Sequence, residues 1–337
     1  MPSWPAQNTG KNRMRRIRAR WLICIAALLL ILSSCAQPGP VQTKTRAETI
    51  PATAVKMTPE TDVYPPVLHS DQWQAPVPLG SPIDTAGAED SPFITPDGNN
   101  FYFFFTPDVS VPAEKQLLDG VTGIWWSQKV DGNWTEPERV VLNSDVALDG
   151  CEFVQGDIMW FGSVRAGNYG EVDVYTAKFK DGKWTDWQNA GEQLNKQYDI
   201  GEFHLSADSN TLYFHWPDHG GYGGLDLWKS EKTATGWGEP VNLGPKVNSE
   251  NDEGWPFLSS DGSELWFCGQ SRLGYIGPAV FRSLRMADGT WGEPEEIISN
   301  FAGEPTLDDA GNIYFVHHFF SKDGTMIEAD IYVAYKK

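Results

Sequence analysis

The segment WGEPVNLG, residues 237–244, has four counterparts along the chain. They are WQAPVPLG from Trp73, WTEPERVV from Trp134, WTDWQNAG from Trp184 and WGEPEEII from Trp291. Successive tryptophans lie 61, 50, 53 and 54 residues apart. Self-similarity at a period of roughly 50 residues predicts a repeat architecture in which each repeat is one supersecondary unit.

The repeat that begins at Trp237 has the pattern of four short strands. They are the tryptophan segment itself and residues 255–259, 264–268 and 279–284, and Asp261-Gly262 forms a hairpin turn because glycine adopts positive φ easily. Corresponding strands are predicted at residues 101–105, 158–162, 212–215 and 313–316. Four strands per repeat predict an all-β fold, a five-bladed β-propeller of four-stranded antiparallel blades.

The two ends of the repeat array predict how the ring closes. The Trp73 segment is the last strand of a blade that has no other strands before it. The chain stops after Tyr332-Val333-Ala334-Tyr335, one strand short of a complete fifth blade. We therefore expect the N-terminal strand near Trp73 to close the last blade, which would remove two open sheet edges.

The N-terminus has the pattern of an export signal. Six basic residues between positions 11 and 20 precede the apolar residues 21–32, which are too few for a membrane span of about 20 residues. The following Leu32-Ser33-Ser34-Cys35 resembles the bacterial lipoprotein signal, which implies lipidation of Cys35. With Ala36 after the cysteine, the resemblance implies an outer-membrane location in a Gram-negative cell. An ordinary signal peptide is the alternative.

Composition divides the chain into three parts. Residues 1–34 are predicted as the signal peptide, and residues 35–70, rich in Pro, Thr, Gln and Ala, as a flexible tether. Residues 71–337 form the predicted propeller. Cys151 and Cys268 fall in the second and fourth repeats, which do not adjoin in a ring of five, so we predict no disulfide between them.

Charge restricts the class of partner. The chain has 26 basic residues, of which six precede Cys35, so the remainder carries 20 against 45 acidic residues, a formal charge of −25. Nucleic acid and anionic lipid surfaces need a basic footprint and are poor partners for such a chain. The negative charge is better suited to a cationic partner or a divalent ion, or it serves only to keep the protein soluble.

The repeat resembles the WD40-like propeller repeat of TolB-type bacterial proteins. The resemblance covers residues 71–337 and is closest across residues 248–267 and in Gly220-Gly221-Tyr222-Gly223-Gly224-Leu225-Asp226-Leu227-Trp228. The insert at residues 108–118 has no counterpart in the family pattern, and the fifth repeat lacks the glycine–tyrosine loop. The resemblance implies a propeller fold and leaves the function open, because the family mixes interaction modules with enzyme accessory domains.

Acidic residues recur before the innermost strand of each blade and are predicted to surround the mouth of the central channel. They are Glu89, Asp90, Asp149, Glu152, Asp199, Glu202, Asp252, Glu253 and Glu304. Such carboxylates would support a glycosidase, or hold a divalent cation, with Glu152 and Glu202 at equivalent positions and His204 on the same strand face. Alternatively, one acid per blade is part of the repeat and accepts backbone N–H groups.

Glycine–tyrosine loops are expected on the same face as the acids, because connections alternate between the two faces of a meander blade. Tyr169, Tyr222 and Tyr275 occupy equivalent loop positions, with Arg165 and Arg272 nearby. Exposed aromatic and arginine side chains suit recognition of a sugar or peptide. The alternative is that they pack on the neighbouring blade. Asp173, Asp226 and Asp330 begin equivalent strands and are interpreted as repeat structure.

We expect a lipid-anchored, extracytoplasmic, monomeric binding module that recognises an envelope protein or glycan through Asp90, Asp149, Glu152, Glu202, Glu253, Glu304 and the loop tyrosines and arginines. The sequence implies no organic cofactor, and a divalent cation is the open alternative. A glycoside-active enzyme that uses paired channel carboxylates and a structural spacer without a ligand are the other two hypotheses.

Overall fold

The computed structural model describes residues 44–116, 119–142, 147–198, 202–217 and 220–337. The predicted signal peptide and Cys35 lie outside the described residues. Among these residues, helical structure comprises α1 (Arg46–Thr49), α2 (Ala113–Gln116) and a π-helical segment (Gln193–Tyr198). Within the described part of the chain, no helix is long and apolar enough to cross a bilayer.

The remainder of the described chain is built from short strands. In chain order they are β1 (Val67–Leu68), β2 (Val77–Pro78), β3 (Ala88–Ile94), β4 (Asn100–Thr106), β5 (Gly123–Val130), β6 (Asn133–Trp134), β7 (Glu138–Arg139), β8 (Leu148–Gln155), β9 (Ile158–Val164), β10 (Asp173–Lys180), β11 (Lys183–Asn189), β12 (Phe203–Leu205), β13 (Thr211–Pro217), β14 (Leu225–Thr233), β15 (Gly236–Trp237), β16 (Val241–Asn242), β17 (Glu253–Leu258), β18 (Glu264–Gln270), β19 (Pro278–Leu284), β20 (Glu295–Ser299), β21 (Ala302–Leu307), β22 (Ile313–Phe320) and β23 (Met326–Ala334).

Antiparallel pairing of consecutive strands produces repeated units that correspond to the sequence repeats. The first unit contains β3–β7, the second β8–β11, the third β12–β16, the fourth β17–β20, and the fifth β21–β23 with β2. One parallel pair, Ala88 with Ala329, joins the first and fifth units into a single sheet. An all-β chain of several antiparallel sheets is consistent with a β-propeller. The number of blades and the closure of the ring stay predictions.

Proline interrupts the outermost strand of most units. Pro137, Pro240 and Pro294 stand three residues after their tryptophans. At the first two prolines the outer strand is divided into two short strands, and at Pro294 an isolated bridge at Trp291 precedes β20. The second unit has Trp187 at this position and keeps a continuous outer strand, β11. Proline lacks the N–H that a ladder needs, so the sequence difference accounts for the structural one.

The segment around Trp73 pairs with the last strand of the chain, as the sequence analysis expected. Val77 pairs with Val333, and Trp73 forms an antiparallel bridge with Lys336. The Trp73 indole is buried, donates a hydrogen bond from Nε1 to the Gly311 carbonyl at 2.8 Å, and packs edge-on against Trp266. The N-terminal strand therefore adds to the sheet of the fifth unit.

Residues 44–70 differ from the predicted flexible tether because they lie along the domain. Val67 and Leu68 pair with β20, and the Arg46 side chain is buried against Phe103, Phe105 and Trp125. The basic side chains of this segment find buried carboxylates as partners, which composition alone does not reveal. The flexible-tether prediction is therefore wrong for the described residues 44–70.

Candidate functional site

The innermost strands share a bulge that turns one residue of each strand toward the centre. Pairing shifts by one residue within β3, β8, β17 and β21. The bulged residues have positive φ, and they are Ser91, Cys151, Trp255 and Glu304. A bulge re-aims side chains and is common next to functional sites.

The alignment of the third unit corrects one prediction. Equivalent pairs in the inner hairpins are Phe153 with Trp160, His204 with Tyr213, and Phe257 with Trp266. Glu202 therefore corresponds to Cys151, and Glu152 corresponds to Phe203. The prediction that Glu152 and Glu202 occupy the same position is wrong by one residue, because the sequence carries no signal for the bulge.

Three successive positions of each inner strand enclose a central cavity of about 60 Å³. Its lining includes Glu152, Glu202, Glu304, Cys151 and His204. A site for one water needs about 10–15 Å³, so the cavity has room for a few waters. Binding sites for small organic ligands are several times larger, at about 300–1,000 Å³.

Glu152 and Glu304 bring carboxyl groups into this cavity without full hydrogen bonding. Glu152 is 5% exposed, and neither of its carboxyl oxygens has a hydrogen-bond partner among the described residues. The same holds for Oε2 of Glu304. Burial raises the pKa of both carboxyls well above the ordinary value, and the neighbouring Glu202 raises each further. Burial therefore favours the protonated form of both groups, in which a carboxyl can donate a hydrogen bond into the cavity.

Glu202 is a third cavity acid with a raised pKa. Burial raises its pKa to about 7, opposed by the Cys151 thiol, which donates to Oε1 at 3.2 Å. His204 lies between the rings of Phe93, Phe153 and Phe257. Burial lowers the pKa of His204 to about 3, and its Nδ1 accepts the Leu258 N–H at 3.3 Å, so the imidazole is neutral.

The structure does not combine Glu152, Glu202 and His204 into a metal centre. Across the described ranges, one group of three potential ligands has its ligand atoms within 4.8 Å of one another: Asp84, Glu89 and Asp330. The expected cation site among the channel acids therefore lacks three converging ligands. The triad lies instead between the first and fifth units, and it combines the predicted channel acid Glu89 with Asp330, which was interpreted as repeat structure, and Asp84, which was not singled out.

Asp199 lies outside the described residues, and the other predicted acids are engaged within the fold. Asp90 accepts the Ser91 N–H at 2.9 Å and lies 3.5 Å from His318. Burial would raise the pKa of Asp90, but the contact with His318 and the hydrogen bond from Ser91 outweigh it and lower the pKa. Asp149 accepts hydrogen bonds from Arg165 and Ser163, each at 2.6 Å. Glu253 accepts from the backbone and side chain of Ser249 and from Arg272.

Both predicted arginines belong to the structure of their units. Arg165 bonds Asp149 and lies over the rings of Tyr175 and Trp187 at 4.5 and 4.6 Å. Arg272 bonds Glu253 at 3.3 Å and lies over Phe281 at 4.9 Å. Their charge is matched inside the domain, so it is not available to an anionic ligand.

The tyrosine loops are pinned at their base and exposed at their tip. Asp226 accepts the N–H groups of Tyr222 and Gly223, and Leu225 donates to Asp252 of the following unit at 2.9 Å. The acidic and glycine–tyrosine loops thus share a face, as expected. The loop side chains exposed on it are Tyr169 (52%), Tyr222 (51%), Tyr275 (36%), Val172, Leu273 and Ile276.

Sequence reasoning missed the channel role of Cys151 and the whole set of charges beside Asp330. Cys151 and Cys268 are both free, as predicted, and burial raises the pKa of both thiols. Lys56 forms ion pairs with Glu328 and Asp330, both buried. A comparison of repeats could have found the anomaly, because Asp84 stands where two other units have asparagine.

No protein-family model matches the chain, and no curated protein matches it significantly. Among solved structures, the chain is similar to TolB from Acinetobacter baumannii, with 14% identity, 76% of this chain and 56% of that chain covered, and a TM-score of 0.43. It is similar to a putative TolB from Agrobacterium tumefaciens, with 15% identity, 75% and 92% covered, and a TM-score of 0.42. A xylan β-1,4-xylosidase from Bacillus halodurans C-125 shares 12% identity over 75% of this chain and 53% of that chain, with a TM-score of 0.47. Similarity at this level does not extend to function.

Proposed function

We propose that the chain is an extracytoplasmic binding module that recognises an envelope protein or glycan through the glycine–tyrosine loop face. The observation that carries this proposal is the group of six exposed apolar side chains on three equivalent loops, led by Tyr169, Tyr222 and Tyr275. Exposed apolar side chains gathered on one face are typical of interaction sites. The predicted arginines and most of the predicted acids are engaged within the fold and contribute little direct contact.

The loops present these side chains on a rigid support. A Cβ on Gly221 would lie 1.6 Å from Asp226 Oδ2, and one on Gly223 would lie 1.7 Å from the Asn251 carbonyl oxygen. Only glycine therefore permits the close contact that holds the loop against Asp226 and the next unit. A pre-organised aromatic side chain loses little entropy on binding, which favours affinity.

The finer parts of the proposal are a lipid anchor at Cys35 and a ring of five blades. The Leu-Ser-Ser-Cys motif after an apolar run supports the anchor, and dual or triple acylation would hold the protein stably at a membrane. The pairing of β2 with β23 supports closure of the fifth blade by the N-terminal strand.

A glycosidase is less well supported by the channel geometry. Retaining and inverting glycosidases need two carboxyl groups about 5–10 Å apart across an open pocket. Here Glu152 is buried at a cavity of about 60 Å³, which is too small for a sugar ring. Hydrolysis of aryl glycosides that is lost in Glu152→Gln and Glu202→Gln would establish the enzyme instead.

The test is a glycan array and capture from solubilised envelope fractions with the purified chain. The loop variant Tyr169→Ala/Tyr222→Ala should lose at least about tenfold in affinity for the captured glycan or protein, as expected when hot-spot aromatics are removed. Tyr335→Ala, an exposed tyrosine outside these loops, is the matched control and should bind normally. Equal capture by the loop variant and the control would refute the proposal.

A further inference from the structure

In the second and third units, a buried aspartate near the start of the third strand accepts hydrogen bonds from neutral groups only. Asp173 accepts the N–H groups of Tyr169 and Gly170 at 2.9 and 3.0 Å and the Asn189 carboxamide at 2.8 Å. The donors to Asp226 are Tyr222 N–H at 2.7 Å, Gly223 N–H at 2.9 Å and the Asn242 carboxamide at 2.7 Å. Each carboxylate is therefore stabilised by three hydrogen bonds and needs no cation.

A second buried asparagine completes this arrangement. It follows the first by six residues, as Asn195 and Asn248. Each bonds the backbone of the third strand and donates to the first asparagine at 2.8 Å, the acceptors being Asn189 and Asn242. The same position thus holds an amide in both units.

The fifth unit replaces both amides. Pro78 occupies the position of the first asparagine, since it pairs with Tyr332 as Asn189 pairs with Tyr175. Six residues later, Asp84 accepts the Ile331 N–H at 3.1 Å, the bond that the second asparagine makes in the other units. The glycine–tyrosine loop is also missing before Asp330. The carboxylate of Asp84 thus replaces the amide of the second asparagine, and Asp330 lacks the loop donors that its counterparts have.

The result is a convergence of buried carboxylates. The ligand oxygens of Asp84, Glu89 and Asp330 lie within 4.8 Å of one another, and the three residues are 7%, 0% and 1% exposed. Oδ1 of Asp330 has no hydrogen-bond partner among the described residues, while Oδ2 binds Lys56. An unpaired buried carboxylate oxygen is costly unless a cation or donor meets it.

The charges of the cluster do not balance. Glu328 joins it through Lys56, which makes four buried carboxylates. Two cations face them, Arg46 on Glu89 and Lys56 on Glu328 and Asp330. Two negative charges are left over when all four carboxylates are ionised. One divalent cation would neutralise them, and buried charges are seldom left unmatched.

We propose that Asp84, Glu89 and Asp330 form a calcium site at the junction of the first and fifth units. Hard cations take carboxylate oxygens, and Ca²⁺, with ligands at about 2.3–2.6 Å, accepts oxygens up to about 5 Å apart on opposite sides of the ion. Mg²⁺ needs shorter and more regular contacts, at about 2.0–2.1 Å, and usually keeps several waters, so a buried set of three carboxylates suits it less well. The site would join the two chain ends, because Asp84 follows β2 and Asp330 lies in β23.

The test is calcium binding by the purified full chain after chelation, measured by isothermal titration calorimetry and by the thermal midpoint with CaCl₂, MgCl₂ or EDTA. Wild type should bind one Ca²⁺ per chain and unfold at a higher temperature with Ca²⁺ than with EDTA. Asp84→Asn restores the amide that the second and third units use, so it should fold while its calcium affinity falls at least about tenfold. Asp330→Asn should show the same loss.

Glu253→Gln is the matched control, because Glu253 accepts from Ser249 as Glu89 accepts from Thr85 but no triad of ligands surrounds it. It should bind Ca²⁺ like wild type. Lys56→Met removes a competing cation and should raise calcium affinity. The proposal is overturned if wild type binds no Ca²⁺, or if Asp84→Asn and Asp330→Asn bind as tightly as Glu253→Gln. Arg46, Lys56 and bound protons would then balance the cluster without a metal ion.

Discussion

Substitution of Arg46 tests whether residues 44–70 belong to the folded domain. The guanidinium is 3% exposed, donates to the carbonyls of Pro82 and Ile83, and pairs with Glu89 at 3.0 Å. Arg46→Met keeps much of the apolar volume against Phe103 and leaves Glu89 buried without its cation. Loss of one partner of a buried ion pair costs about 3–5 kcal/mol.

The expected loss lies at the lower end of that range. Glu89 keeps two bonds from Thr85, and burial raises its pKa to about 7, so it can take up a proton instead of remaining charged. We therefore expect the free energy of unfolding of Arg46→Met to fall by about 3 kcal/mol at pH 7.5. Glu89→Gln should restore at least about 1 kcal/mol of this in the double variant, because the two groups are coupled.

Urea unfolding followed by tryptophan fluorescence measures both values, and limited proteolysis reports release of the segment. Lys44→Met, on an exposed residue two positions away, is the control and should change stability by less than about 0.5 kcal/mol. If Arg46→Met is as stable as this control and its segment is cleaved no faster, the segment contributes nothing and the flexible tether is the better description.

Three further predictions concern the channel and the N-terminal strand. The pKa of Glu202 is raised from 4.5 to about 7, so its stabilising effect is present below pH 4.5 and lost as pH rises through 7. This group's share of the unfolding free energy should fall by up to about 3 kcal/mol between pH 5 and 8, so Glu202→Gln should show a smaller fall than wild type, while the slope from Asp84 and Glu89, whose pKa values are also about 7, remains. Trp73→Ala should cost about 3–5 kcal/mol in urea titrations, since a fully buried indole and its bond to Gly311 are lost, and a cost below about 1 kcal/mol would contradict the pairing of this segment. The Cys151 thiol should react with a disulfide reagent much more slowly in the native than in the unfolded protein, because burial raises its pKa; equal rates would show an open channel.

The fold followed from sequence because its signals are local. Hairpin turns such as Asp261-Gly262 and strand patterns are read within ten residues, and the tryptophan spacing repeats them along the chain. The strands at 100–106, 158–164, 211–217 and 313–320 agree with the predicted ones within a few residues. Proline after the tryptophan even indicates which outer strands are interrupted. The bulge at Cys151 has no such signal, so Glu152 was placed one residue out of alignment.

The site was harder to predict because its properties depend on partners distant in sequence. Arg165 and Tyr169 looked alike as exposed recognition residues, but the arginine is held by Asp149 while the tyrosine is half exposed. Arg46 looked like part of a polar tether, since its partner Glu89 lies 43 residues away. Composition gives the number of charged residues but not which of them form ion pairs.

The junction of the first and fifth units explains several of these observations together. The fifth unit takes its outer strand, β2, from the N-terminal side of the first unit, with Pro78 in β2 and Asp84 after it in place of the asparagine pair. Without a glycine–tyrosine loop, Asp330 has lost its backbone donors, and the oxygens left behind attract Lys56. The packing of residues 44–70, the acidic cluster and the pairing of the chain ends are thus parts of one arrangement. Asp84→Asn removes one negative charge from the cluster, so it should weaken the binding of Lys56 as well as of calcium. Faster proteolysis between residues 50 and 66, the segment that contains Lys56, would show this.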